Sequence, residues 1–134
     1  MVVLDASVVI AWAYEEEKGR LDALIRHVAA NFASVPVHWI LEITNTLLNS
    51  ERRGRLKAGQ RQEILAKIEL LPIRVDPETP HHGWTQIPAL AIRFGLTTYD
   101  AAYLELAIRF DVPLATLDQD LARAAREAGV PLFE

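Results

Sequence analysis

The sequence predicts a three-layer α/β sandwich built on a central, mostly parallel sheet. Short aliphatic and β-branched runs, Val2-Val3-Leu4 and Val112-Pro113-Leu114-Ala115-Thr116, lack the polar alternation of a half-solvated strand. They suit strands buried on both faces. Between such runs lie longer stretches with apolar residues at helical spacing, and the two kinds alternate along the chain.

Each element follows from its residues. Val2-Val3-Leu4 is the first strand, and Asp5 stands at its carboxyl end. Helices follow from Ser7 to about Glu16 and from Arg20 to Asn31, the second with Leu21, Leu24, Ile25 and Val28 on one side and Gly19 as the break before it. Phe32 to Val37 is β-inclined and interrupted by Pro36; Trp39, Ile40, Ile43, Leu47 and Leu48 then form a helical stripe that ends near Arg53-Gly54 and contains Glu42. The next helix runs from Ala58 to Leu71, closed by Pro72 before the strand-like Ile73-Arg74-Val75 and the turn Asp76 to Pro80. His81 to Phe94 reads as a helix kinked or broken at Pro88 and ended by Gly95. Thr98 to Phe110 is nearly all apolar and belongs in the middle of the protein. After the Val112–Thr116 strand, a helix turns Leu121, Ala124, Ala125 and Ala128 inward with Gly129 at its C-cap, and Val130 to Phe133 makes a last edge strand.

Composition bounds the rest. The 134 residues, 51% apolar and 24% charged, carry no repeat, linker or low-complexity segment, which fits a single domain over 1–134. No apolar run approaches the ~18 residues of a membrane span, and the N-terminus lacks the features of a signal peptide, so a cytoplasmic protein is expected. With no cysteine in the chain, disulfides, thiolate zinc sites and cysteine nucleophiles are excluded. Any metal must be held by oxygen or imidazole. A formal net charge of -4 argues against a basic nucleic-acid coat protein.

Open parallel sheets bind ligands at the carboxyl ends of their strands, where Asp5 and Asp118 follow Val2-Val3-Leu4 and Leu114-Ala115-Thr116-Leu117. Glu42, between Leu41 and Ile43, and Asp100, at the start of the apolar helix Tyr99-Asp100-Ala101-Ala102-Tyr103-Leu104, occupy awkward places for charge. No Lys or Arg directly flanks any of the four. Gathered carboxylates need a compensating cation, and hard oxygen ligands suit Mg²⁺ or Mn²⁺. Singly, each acid also has a structural use: Asp118 as an N-cap, Asp100 in a first helical turn, Asp5 in a turn, Glu42 as a solvated helix position.

Four segments carry a resemblance over essentially the whole chain: Val3-Leu4-Asp5-Ala6-Ser7, Glu42-Ile43-Thr44-Asn45, Leu96 to Tyr103, and Leu114-Ala115-Thr116-Leu117-Asp118. In this order they resemble the PIN-domain nucleases, in particular VapC-type toxins of toxin–antitoxin pairs. The resemblance implies a PIN-like fold and a ribonuclease in which Asp5, Glu42, Asp100 and Asp118 ligate one or two Mg²⁺ or Mn²⁺ ions. Such ions orient a water for in-line attack on an RNA phosphodiester, without a protein nucleophile. Ser7, Asn45 and Thr116 match polar positions that support the site in similar proteins, with Asn45 one helical turn from Glu42; capping or helix hydrogen bonding is their alternative role. Asp120 is a fifth acid, for which a place near the positive end of the last helix is the favoured role. Homodimerisation and inhibition by a small cognate antitoxin are also implied.

The remaining features are weighed against this reading. Arg52, Arg53, Arg55, Lys57 and Arg61 are the one dense basic stretch, suited to an RNA backbone or, more commonly, to a solvated helix end. His27, His38, His81 and His82 form no zinc pattern. Trp12, Trp39, Trp84, Tyr99 and Tyr103 are assigned no site role, and all but Trp84 fall in apolar stripes. Glu15-Glu16-Glu17 is a solvated charge run. A receiver-like or phosphatase domain would want a second acid beside Asp5 or a placed lysine, and Ala6 and Ser7 supply neither. The other rival is a catalytically silent PIN-like module that binds RNA or a partner.

Overall fold

The computed structural model describes residues 1–14 and 19–133. Strands β1 (Val2–Leu4), β2 (Ala33–Val35), β3 (Ile73–Val75) and β4 (Leu114–Ala115) form one all-parallel sheet in the order β3-β2-β1-β4. Val3 is paired with Ser34 on one side and Leu114 on the other, so β1 is central, and Val2, Val3 and Leu4 are fully buried. That burial is why the run needs no polar alternation.

From β1 the chain steps to β2 and β3 in one direction, then crosses to β4 on the opposite side of β1. Crossovers between parallel strands are right-handed, so this reversal puts helices on both faces. It also makes the β1/β4 boundary a topological switch point, where connections diverge and leave a crevice at the carboxyl edge. Helix α1 (Ala6–Ala13) leaves β1 there, and α8 (Gln119–Glu127) follows β4. The other helices are α2 (Arg20–Asn31), α3 (Trp39–Arg52), α4 (Ala58–Glu69), α5 (Thr79–His82), α6 (Gln86–Phe94) and α7 (Thr98–Phe110).

Helix α7 is the central helix its composition predicts. Residues Ala101 to Ala107 are buried without interruption, and Tyr103, Leu104 and Leu106 are fully enclosed. At about 1.5–3 kcal/mol for each large apolar side chain, this helix anchors the sheet and fixes where its first turn points.

Three expectations need adjustment. The first helix begins at Ala6 and is described as far as Ala13; its expected end, and the run Glu15-Glu16-Glu17, lie outside the described residues. The His81–Phe94 segment is two helices, α5 beginning at Thr79 and α6 at Gln86, broken between them and not at Pro88. Pro88 falls in the first turn of α6, where a missing N–H leaves no intrahelical bond unmade. Gly95 ends α6 as expected, in the left-handed conformation at φ 66. The last segment pairs only through Leu132 with Leu114, held by Leu114 N donating to Pro131 O and Phe133 N donating to Leu114 O. Pro131 has no N–H to extend the ladder.

Candidate active site

Asp5 occupies the N-cap position of α1 with an extended backbone, directly after β1, and is 5% exposed. Its Oδ2 accepts from Ser7 Oγ at 2.8 Å and from Thr116 Oγ1 at 2.6 Å. Each hydroxyl is used twice. Leu117 N donates to Ser7 Oγ at 3.1 Å and Asp118 N to Thr116 Oγ1 at 3.0 Å. Two hydroxyls therefore latch the β1–α1 junction to the β4–α8 loop across the switch point.

Asp118 caps α8, its Oδ1 accepting from Leu121 N at 2.9 Å. The structural use foreseen for Asp118 is thus real, and it engages one oxygen of two. Asp100 sits in the first turn of α7, where Thr97 Oγ1 caps its backbone N–H at 3.1 Å. Glu42, in the first turn of α3, has Oε1 held by the Tyr103 hydroxyl at 2.5 Å, with His38 Nε2 lying 3.3 Å away. Tyr103 comes from the buried middle of α7, so that helix places Asp100 and braces Glu42 together.

The four carboxyl groups share one electrostatic field. Burial raises the Asp5 carboxyl above its ordinary value; Thr116 and Ser7 pull it down, and Asp118 pushes it further up. Glu42 is raised by burial, with Tyr103 opposing and Asp5 adding. Asp100 is raised to about 6, first by burial and then by Asp118, Asp5 and Glu42 in turn. Among the described residues no Lys or Arg forms an ion pair with any of the four. The nearest basic side chain is His38, whose imidazole is lowered by burial and so favours its neutral form.

Among the described residues, no three acids or imidazoles stand close enough to enclose an ion unaided. Hard cations such as Mg²⁺ use one or two carboxylates and keep several waters, so a looser ring of oxygen ligands without thiolate fits them.

Not every residue singled out in the sequence converges here. Ser7 and Thr116 contact Asp5 directly. Asn45 is exposed on α3 and makes no side-chain hydrogen bond among the described residues. Asp120 is exposed in the first turn of α8. The basic residues Arg52, Arg53, Arg55 and Lys57 lie exposed at and beyond the far end of α3 from Glu42, and Arg61 is paired with Glu51 at 2.5 Å.

Two aromatic residues left without a role need correction. Tyr103 is fully buried, yet its hydroxyl meets Glu42. Tyr99 is 64% exposed beside the site, not part of the core, because the first turn of α7 projects past the packed stretch that starts at Ala101. The signal available for Tyr103 was its hydroxyl: a tyrosine in a buried helix needs a polar partner.

The chain matches the PIN domain over residues 2–127. It is 29% identical over 125 residues to Ribonuclease VapC3 of Pyrobaculum aerophilum, covering 90% of this chain and 92% of that protein. To Ribonuclease VapC12 of Mycobacterium tuberculosis it is 28% identical over 124 residues, covering 92% of each. Of solved structures, PAE2754 from Pyrobaculum aerophilum superposes with a TM-score of 0.70 at 26% identity, covering 92% of this chain and 83% of that one. FitAcB from Neisseria gonorrhoeae superposes with a TM-score of 0.69 at 17% identity, covering 100% and 97%, a likeness of fold alone.

Proposed function

The chain belongs to the PIN domain family, and from that premise we propose that it is a metal-dependent endoribonuclease, the toxin of a toxin–antitoxin pair, with Asp5, Glu42, Asp100 and Asp118 as its metal ligands. The observation that carries this reading is the field at the switch point, where the Asp5, Glu42 and Asp100 carboxyls are raised by burial and by neighbouring acids and, among the described residues, no Lys or Arg pairs with them. The ribonuclease names of its relatives support the same chemistry.

A bound Mg²⁺ or Mn²⁺ supplies a water of lowered pKa and offsets the charge that builds on the phosphodiester. The chain's own residues hold that arrangement. Asp5 Oδ2 is fixed by two hydroxyl donors, so its carboxylate presents one rotamer. Glu42 Oε1 is oriented by the Tyr103 hydroxyl, which leaves Oε2 without a hydrogen bond among the described residues. Asp118 keeps one oxygen on the helix cap and offers the other. Asp100, raised to about 6 by burial and by Asp118, Asp5 and Glu42, is stabilised as a carboxylate by a cation. The substrate is RNA, the regulator a small antitoxin, the protein a cytoplasmic homodimer of one PIN unit per chain.

Cleavage of end-labelled RNAs by wild type and Asp5→Asn, with Mg²⁺, with Mn²⁺ and with EDTA, tests this. Cuts that need metal and vanish in Asp5→Asn are expected. Cutting that persists in EDTA or in the variant overturns the assignment of the site.

A further inference from the structure

A groove of about 530 Å³ opens against the acid site and shares Glu42 with it. Its other lining includes Tyr99, Leu41, Leu48, Asn45 and His38. Tyr99 and Leu41 are among its most open members, 64% and 70% exposed.

The tyrosine is held in place. His38 Nε2–H donates to the Tyr99 carbonyl at 3.0 Å, and the two rings lie tilted with centroids 5.7 Å apart. An exposed ring with a clamped backbone costs little further ordering when something stacks on it. Beside it Asn45 presents a side-chain amide, an acceptor and two donors, with no hydrogen bond among the described residues.

Charge decides what fits. Among the described residues the lining contains no Lys or Arg, and its one acid is Glu42. A phosphate finds no cation there, whereas a nucleobase brings a neutral apolar face and a polar edge. Duplex RNA keeps its base faces stacked, so the ligand must be single-stranded. We propose that this groove is a nucleobase subsite beside the scissile position, in which a base of single-stranded RNA stacks on Tyr99 and Asn45 contacts its edge. The inference rests on the nuclease reading and adds to it where sequence preference arises.

The test uses the intact protein with Ca²⁺ as the cation. Fluorescein-labelled homo-oligomers of A, C and U, and an abasic oligomer of equal length, are titrated with wild type, Tyr99→Ala, Tyr99→Phe and Asn45→Ala. In parallel, a random-sequence RNA pool is cut with Mn²⁺ and the ends are sequenced. Tyr99→Ala is expected to weaken binding of the base-bearing oligomers by roughly 5- to 150-fold, the range for one stacked base, and to leave the abasic oligomer unchanged. Tyr99→Phe keeps wild-type affinity, and Asn45→Ala alters the nucleotide preference next to the cut. If Tyr99→Ala binds and cuts as wild type does, or weakens abasic and base-bearing oligomers alike, the subsite is overturned while the nuclease stands. If wild type cuts no member of the pool, the nuclease reading falls and the subsite with it.

Discussion

This chain buries acids in two places and treats them in opposite ways. Asp76, at the carboxyl end of β3, and Glu105, in the middle of α7, are 4% and 5% exposed. Both are answered by Arg109, which reaches Asp76 Oδ2 at 2.5 Å and Glu105 Oε1 at 2.7 Å, while Thr79 Oγ1 donates to Asp76 at 2.9 Å. Burial by itself would raise Asp76, but Arg109 and Thr79 outweigh it and hold the carboxyl below its ordinary value. At the switch point, Asp5, Glu42 and Asp100 are raised, and among the described residues no Lys or Arg is paired with them. The fold can supply an arginine where acids serve stability. The described residues supply none at the switch point, which is the contrast on which the proposed cation site rests.

Breaking the compensated cluster has the largest expected effect on stability. Arg109→Ala leaves two buried carboxylates without their arginine, Glu105 with His82 at 3.5 Å and Asp76 with the Thr79 hydroxyl, and the expected cost is about 3–5 kcal/mol. Urea unfolding followed by circular dichroism measures it. A loss under about 1 kcal/mol, the scale of a surface pair, would mean that the acids reach water and that the contrast is overdrawn.

The uncompensated cluster should answer in function. Thr116→Val keeps the side-chain shape but removes the donor to Asp5 Oδ2 and the acceptor for Asp118 N. An outer partner of a metal ligand is typically worth 10–100-fold in metal affinity or activity, and a loss of about that size is expected in Mn²⁺ titration and in cleavage rate. Unchanged Mn²⁺ affinity would mean that Ser7 alone orients Asp5.

The two clusters also differ in how far the sequence reveals them. Asp5 and Asp118 stand out because each directly follows a buried strand, a position that parallel sheets use for ligands. Glu42 and Asp100 stand out as charges in apolar helices. Asp76 follows a strand as well, at Ile73-Arg74-Val75, but reads as a turn residue because its partner lies 33 positions away on α7. Glu105 has its arginine only four positions on in the same helix, yet passes as one polar residue because its burial depends on what packs around α7. The Tyr103–Glu42 bond spans 61 positions, and nothing local to either residue encodes it. Alternating strands and helices give the sheet and its layers, since each depends on periodicity within a short window. Tyr99 is misjudged because a stripe predicts which face is apolar, not where along the helix packing begins.

A smaller effect, of opposite sign to that of Arg109→Ala, is expected at Asp100. Its carboxyl titrates near 3.8 when free and at about 6 in the folded protein. Between those values the folded state binds more protons than the unfolded one, so this group's contribution to stability falls as pH rises from about 4 to 6 and stays lost above. In EDTA, Asp100→Asn should therefore melt a few degrees above wild type at pH 7, and that gap should close toward pH 4. Added Mn²⁺ should narrow it from the other side by stabilising wild type. A variant that melts below wild type in EDTA at pH 7 would mean that the acids do not repel one another as described.

The smallest expected effect falls at Asp120 and marks where the uncompensated cluster ends. Asp120 lies two residues beyond Asp118, exposed in the first turn of α8, and it is not among the charges that raise Asp5, Glu42 or Asp100. A carboxylate in that first turn faces the positive end of the helix, an interaction worth about 0.3–1 kcal/mol. Asp120→Asn should cost no more than that in urea unfolding and leave cleavage at the wild-type rate, whereas Asp118→Asn loses cleavage while keeping a side chain that still caps α8. If Asp120→Asn lowers cleavage as Asp118→Asn does, the metal is held from both residues and the cluster extends into the helix.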